Sequence, residues 1–184
     1  MKKVILLLAI IVVLSCCNKD SEQPKTELEK LPPPTQTGAN TAGCLLNGVA
    51  FLPKGYFPTG ALFFFYQDGK NFSLSIGEST MQGSTEIIKD ISIASLNQNL
   101  HDNVGVVFPL KEYGANSKYG TYIIDAESSP SPNHYTTTSS LNGILKITYH
   151  NFNLAIISGT FWFDAINSKG EIVKIRDGRF DLKY

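Results

Sequence analysis

Ile157-Ser158-Gly159-Thr160-Phe161-Trp162-Phe163-Asp164-Ala165 is the stretch that decides the fold of this chain. From residue 157 onward every second position is apolar or glycine, while the positions between carry Ser, Thr, Trp and Asp. A period of two is typical of a β-strand that turns one face towards a core. Residues 143–150 and 179–184 alternate in the same way. Three such strands in succession predict an antiparallel sheet with one apolar and one mostly polar face.

Turn signals divide the chain on the amino-terminal side of these strands into further short segments. Asn47-Gly48 between two apolar runs is a strong hairpin signal, and Asp68-Gly69-Lys70 marks another turn. About ten short strands with no helix between them predict an all-β domain over residues 41–184, either an antiparallel β-sandwich or a β-barrel. Gly159 and Asp177-Gly178 lie inside strands and predict bulges or bends.

One segment, Leu62-Phe63-Phe64-Phe65-Tyr66, is apolar on both faces. This pattern predicts either a central strand covered on both sides or a strand with one face lining a cavity. The cavity interpretation leads to a functional alternative, a β-barrel that carries a small apolar ligand beside Phe63 and Phe65.

The amino terminus predicts a secretory signal peptide over residues 1–15. Met1-Lys2-Lys3 is cationic, and residues 4–14 form an uninterrupted apolar run. A membrane-spanning helix needs about 20 apolar residues, so this run has the length of a signal-peptide core instead.

Val13-Leu14-Ser15-Cys16 resembles the lipobox of bacterial lipoproteins. The resemblance implies that diacylglycerol is attached to the Cys16 thiol and that cleavage follows Ser15. Cys17 is the alternative site, although its preceding residue is Cys16 rather than Gly, Ala or Ser. Two or more acyl chains give stable attachment to a membrane. Asn18-Lys19-Asp20-Ser21-Glu22 resembles the acidic export signal of some Bacteroidota lipoproteins. That resemblance implies a protein anchored by lipid in the outer membrane, on its periplasmic or its outer face.

Residues 16–40 predict a lipidated cysteine followed by a flexible, disordered tether. The segment holds four of the nine prolines and few apolar side chains, so it lacks the apolar surface that folding requires. If Cys16 is lipidated, Cys17 and Cys44 remain. They either form a disulfide in an oxidising compartment, or Cys44 is a small buried residue of the first strand.

Charge argues against a nucleic-acid partner. Lys plus Arg and Asp plus Glu both total 16, and no cationic surplus is available to displace counterions from phosphate. No Cys/His spacing is typical of a metal site, and no cofactor is predicted.

No catalytic constellation stands out, and no catalytic residue is assigned. The three histidines, His101, His134 and His150, are interpreted as separate solvated loop residues. Asp164 could meet Glu171 or Asp181 in space, which leaves a glycan-active hydrolase as the least favoured alternative.

Trp162 is the candidate ligand contact because it lies on the polar face of its strand. An exposed indole stacks on sugar rings or packs against a protein partner, whereas a covering loop or second sheet would make it structural. The favoured prediction is therefore a non-enzymatic, membrane-anchored module that binds an envelope protein, a glycan or another envelope component.

Residues 157–163, Gly170-Glu171 and residues 177–184, together with residues 43–48, resemble a family of uncharacterised Bacteroidota lipoproteins. The resemblance covers roughly residues 41–184. Its motifs consist of strand and turn residues, so it implies kinship and brings no established catalytic residues.

Overall fold

The computed structural model describes residues 24–55, 60–126 and 133–184, and the all-β prediction is confirmed. The predicted signal peptide and both candidate lipidation sites, Cys16 and Cys17, lie outside the described residues. The described residues form eleven strands, where about ten were expected. They are β1 (Thr41–Leu46), β2 (Val49–Phe51), β3 (Leu62–Gln67), β4 (Asn71–Gln82), β5 (Thr85–Leu96), β6 (Val107–Pro109), β7 (Lys118–Ala126), β8 (His134–Thr136), β9 (Gly143–Asn151), β10 (Ile156–Ile166) and β11 (Ile172–Lys183).

The strands form one open antiparallel sheet in the order β2-β1-β11-β10-β8-β7-β5-β4-β3. Strand β9 pairs with β10 as a branch, and β6 pairs with β9. Beyond the end of β2, a single parallel bridge joins Lys54 to Glu78 of β4. The Asn47-Gly48 hairpin lies between β1 and β2, as predicted.

The sheet curves so that its two halves share one core. Phe72 of β4 lies with its ring centroid 5.6 Å from that of Phe180 on β11, although four strands separate β4 from β11 in the sheet order. Phe51 of β2 meets Tyr122 of β7 edge-on at 6.5 Å. Burying these rings and the aliphatic side chains around them supplies the main stabilisation, because removing apolar surface from water is favourable.

The alternation of the deciding stretch is confirmed on β10. Phe161, Phe163 and Ala165 are buried towards the core, whereas Thr160 and Trp162 face outward and are partly exposed. The accessible part of this outer face is therefore at Thr160 and Trp162, whereas Ser158 on the same face is 1% exposed.

A bulge in β11 opposite Trp162 confirms the prediction at Asp177-Gly178. Pairing shifts from Phe161 with Gly178 to Phe163 with Ile175, so two residues of β11 face the single residue Trp162. Asp177 takes the left-handed conformation with φ 52°. A Cβ on Gly178 would lie 2.4 Å from the Phe161 ring, so the strands meet closely only because this residue is glycine. The pairing of β10 with β9 also shifts, between Ser158 and Gly159, and this confirms the irregularity predicted at Gly159.

Strand β3 does not fit either interpretation of its double-sided apolar pattern. It lies at the end of the strand order, and Phe63 and Phe65 are 41% and 47% exposed. Leu62, Phe64 and Tyr66 pack against the core from the other face. The strand is therefore covered on one side, and its outer phenylalanines face solvent rather than a cavity.

Residues 24–40 lie against the sheet, which corrects the boundary of the predicted tether. Leu31 is 6% exposed, and the Glu27 carboxylate accepts a hydrogen bond from the Ala50 backbone N–H at 2.8 Å. We call residues 24–40 the strap. The ordered body thus starts before residue 41, and the rest of the predicted tether, residues 16–23, lies outside the described residues.

Cys44 is a free, fully buried thiol of β1. Burial raises the pKa of this thiol far above its usual value, which keeps it neutral. The interpretation of Cys44 as a small core residue is confirmed, while its predicted disulfide partner Cys17 lies outside the described residues.

Candidate functional site

A groove on the outer face of β10 and β11 contains Trp162. It has a volume of about 840 Å³ and opens to solvent. We call it the Trp162 groove. Its side chains come from the two strands, from the loop before β9 and from the strap, and they include Pro34, Asn142, Thr160, Trp162, Asp164, Arg176 and Arg179.

The bulge in β11 brings Arg176 beside Trp162 and holds it there. The guanidinium carbon lies over the indole, 5.2 Å from the ring centroid. One guanidinium nitrogen donates to the Asp164 carboxylate at 2.5 Å. Another donates to the backbone oxygens of Phe163 at 3.0 Å and Ile175 at 2.8 Å. Arg176 is thus fixed by backbone and carboxylate, and it supports the indole through a cation–π contact.

Arg179 adds a second cation to the groove. Its Nε donates to the Asp177 backbone oxygen at 3.2 Å. Within the described residues, no carboxylate forms an ion pair with its guanidinium. Thr160 lies opposite Arg179 on one side and opposite Lys146 of β9 on the other, so both cations belong to the outer face.

Asp181, two residues beyond Arg179, is 1% exposed and binds the strap. Its carboxylate accepts hydrogen bonds from Thr35 Oγ1 (2.6 Å) and from the backbone N–H groups of Thr37 (2.9 Å), Gly38 (2.9 Å) and Ala39 (3.2 Å). Further bonds come from the hydroxyls of Thr37 (3.2 Å) and Ser158 (2.8 Å). Burial alone would raise the pKa of Asp181, but the hydrogen bonds outweigh it and hold that pKa well below its usual range.

This carboxylate also shapes the groove, because Pro34 stands directly before the first residue it binds. Pro34 lines the groove on the side of the strap. A segment fixed at Thr35, Thr37 and Gly38 therefore holds one wall of the Trp162 groove in place. Nothing in the Pro- and Thr-containing sequence of the strap had indicated this contact.

The three carboxylates considered for hydrolysis go to separate places. Asp164 pairs with Arg176 in the groove, and Asp181 binds the strap. Glu171 accepts hydrogen bonds from Asn167 at 2.8 Å and from the Tyr135 hydroxyl at 3.2 Å. The structure does not bring the predicted pairs together.

Two of the three histidines meet each other, which corrects their interpretation as separate solvated residues. The rings of His101 and His150 lie 5.1 Å apart, and Phe152 contacts both. His150 Nε2 lies 2.9 Å from the Tyr184 hydroxyl. Burial, and then the neighbouring His101, lower the pKa of His150. His134 is exposed, but it begins β8 rather than lying in a loop.

Two further properties concern the described part of the chain as a whole. In residues 24–55, 60–126 and 133–184, no three His, Cys, Asp or Glu side chains are grouped so that they could hold a metal ion. The same residues include no helix with the length and apolar character needed to cross a membrane.

Comparison with known proteins assigns no function to the Trp162 groove. Trp162 lines the groove and is partly exposed, and its role as a ligand contact stays a prediction. No family model, curated protein or solved structure matches the chain.

Proposed function

We propose that this chain is a non-enzymatic, lipid-anchored binding module of a bacterial envelope, and that the Trp162 groove binds a glycan. The observation that carries the proposal is an outward-facing, partly exposed indole in an open groove. Arg176 lies over one face of the ring at 5.2 Å, so a sugar would stack on the other face. Aromatic rings take the C–H face of a sugar, because that face is apolar and flat enough to stack. An indole held by neighbouring groups loses little conformational freedom when a ligand binds.

The polar lining favours a glycan over a protein partner. Thr160, Asn142 and Asp164 offer a hydroxyl, an amide and a carboxylate around the indole. Such groups match the hydroxyls of a sugar, which both donate and accept hydrogen bonds. A protein interface would instead centre on a larger desolvated cluster of aromatic and aliphatic side chains.

The envelope anchor rests on the amino-terminal sequence. Val13-Leu14-Ser15-Cys16 has the pattern of a lipobox, with Cys17 as the alternative lipidation site. The similarity to Bacteroidota lipoproteins belongs to the same proposal, as does location in the outer membrane. Since the strap begins at Pro24, a fully extended chain from Cys16 reaches at most about 29 Å, which keeps the sheet near the bilayer.

A glycan-binding screen tests the proposed site. The mature protein in detergent micelles is applied to an array of bacterial and host glycans, beside a Trp162→Ala variant. We expect the variant to lose at least about tenfold in affinity for whichever glycan binds, because stacking on the indole is removed. Tyr113→Ala is the matched control, since Tyr113 is an aromatic residue that is 71% exposed and lies outside the groove. Equal binding by both variants would contradict the proposal.

Metabolic labelling with a palmitate analogue tests the anchor. The wild-type chain should incorporate label, and the Cys16→Ser variant should not. Label retained in Cys16→Ser but lost in Cys17→Ser would move the anchor to Cys17, and an unlabelled wild-type chain would contradict a lipid anchor.

The two alternative functions receive less support. A carrier of an apolar ligand required Phe63 and Phe65 to line a pocket, and both side chains face solvent. A hydrolase required two carboxylates close together, whereas Asp164 is neutralised by Arg176 and Asp181 is occupied by the strap.

A further inference from the structure

The charges around the Trp162 groove are unequally partnered. Asp177 also lines the groove, is exposed and forms no ion pair with a described residue, so the unpaired cations Arg179 and Lys146 stand against one unpaired carboxylate. Arg176 is paired with Asp164 and bound to two backbone oxygens. Arg179 uses only its Nε, and in the described part of the chain its two terminal nitrogens have no hydrogen-bond acceptor. Lys146 likewise forms no ion pair with any described residue.

The two unpaired cations lie in one row across the outer face. Thr160 pairs with Arg179 on β11 and with Lys146 on β9. Facing side chains of neighbouring antiparallel strands have Cβ atoms about 5 Å apart, so both cations flank the same threonine. Trp162 lies two residues beyond Thr160 on β10, about 7 Å from it along the strand. A ring stacked on Trp162 therefore brings its own substituents, or those of the next sugar, to Arg179.

We infer that the ligand of the Trp162 groove is an acidic saccharide, a glycan of uronic-acid type whose carboxylate is bound by Arg179. This inference rests on the proposed function and names the ligand class of the same site. A guanidinium binds a carboxylate through two parallel hydrogen bonds, which gives both charge and orientation. Arg179 has its two terminal nitrogens available for such a pair, while Lys146 adds positive charge from the other side of Thr160.

Arg176 is not the anion receptor, even though it lies closer to the indole. Its charge is already balanced by Asp164 at 2.5 Å. A ligand carboxylate at Arg176 would have to displace Asp164 or lie beside it, and two adjacent carboxylates repel each other. Arg176 therefore positions the indole, and Arg179 selects the anion.

Binding of matched acidic and neutral oligosaccharides tests the inference. The mature protein in detergent micelles is titrated with oligomers of galacturonate, glucuronate and mannuronate, each compared with its methyl ester. Esterification removes the charge and leaves the sugar ring intact. We expect at least one acid to bind at least about tenfold more tightly than its ester. We also expect the difference to shrink when NaCl rises from about 0.05 M to about 0.5 M.

Two variants assign the preference to a residue. Arg179→Gln should bind the acid and its ester equally, whereas Lys183→Gln should keep the wild-type preference. Lys183 is an exposed cation on the same strand and the same face. A persistent acid preference in Arg179→Gln would overturn the role of Arg179.

The outcomes separate the two proposals. If neutral saccharides bind as well as acids in a Trp162-dependent way, the acidic-ligand inference fails and the glycan-binding function stands. If no saccharide, acidic or neutral, shows Trp162-dependent binding, the proposed function itself fails.

Discussion

Two regions of one sheet face use the same residue type in opposite ways. At Asp181 the strap covers the face, and the carboxylate is 1% exposed and surrounded by hydrogen-bond donors. At Asp164, on the neighbouring strand, the side chain is 21% exposed and pairs with one arginine at the edge of an open groove. We call these the closed region and the open region.

The difference shows how one face combines attachment with recognition. A buried carboxylate that accepts several hydrogen bonds holds together the segments that donate them, and it is costly to remove. A partly exposed ion pair contributes little to folding and leaves its surroundings accessible. The closed region therefore fixes the strap and the groove wall at Pro34, while the open region is available to a ligand.

Replacing each carboxylate in turn should give the largest contrast. Asp181→Ala leaves the N–H groups of Thr37, Gly38 and Ala39 without their acceptor, so we expect a loss of about 3 kcal/mol in the free energy of unfolding. Asp164→Ala removes only a partly exposed pair and should cost less than about 1 kcal/mol. Urea denaturation followed by tryptophan fluorescence measures both. Equal losses would remove the distinction between the regions.

The second-largest effect should be a loss of stability at low pH, caused by protonation of Asp181 in the closed region. Because the folded-state pKa of Asp181 is depressed below its unfolded value of about 3.9, its contribution is complete above that value and is lost as the pH falls. Wild-type stability should decline below about pH 5, and Asp181→Asn should show a shallower decline from a lower starting value. Denaturation at a series of pH values from about 6 to about 2.5 tests this. If stability fell equally steeply with pH in the wild type and in Asp181→Asn, other carboxylates would be the main cause of the acid sensitivity.

The open region was accessible to sequence reasoning because it depends on strand periodicity. Alternation along residues 157–165 placed Trp162 on the outer face, and Asp177-Gly178 predicted the bulge opposite it. Both signals are local, since a period of two and a turn dipeptide are contained within one strand. The ion pair of Arg176 with Asp164 was not predicted, because it depends on where the extra residue of the bulge directs its side chain.

The closed region was not accessible, because its contacts join distant parts of the chain. Thr35 and Asp181 are 146 residues apart, and Asp181 had the pattern of an ordinary polar-face residue. The strap uses backbone N–H groups, which every segment possesses, so its composition suggested only a solvated spacer. His101 and His150 were missed for the same reason. The prediction for β3 was wrong because it assumed that Phe63 and Phe65 are buried. Apolar residues are often exposed on protein surfaces.

A methyl group placed under the strap should have an intermediate effect. A Cβ on Gly43 would lie 2.7 Å from Leu52 Cδ2 and 3.1 Å from Pro32 Cδ, so Gly43→Ala should push these side chains outward. We expect a loss of about 1–2 kcal/mol in the free energy of unfolding, from overpacking. The control is Gly114→Ala, where no atom lies within 4 Å of the added carbon. A neutral Gly43→Ala would indicate that the strap is only loosely docked.

The smallest effect on stability should come from the cation that the open region leaves unpaired. Arg179 forms one hydrogen bond to a backbone oxygen, so Arg179→Gln should change the free energy of unfolding by less than about 0.5 kcal/mol. Lys183→Gln should change it equally little, which makes the two variants a matched pair for the ligand titrations. Thermal and urea denaturation of both variants provide the measurement. If Arg179→Gln were strongly destabilised and Lys183→Gln were not, Arg179 would be part of the fold, and the open region would lose the residue that is proposed to receive the ligand's charge.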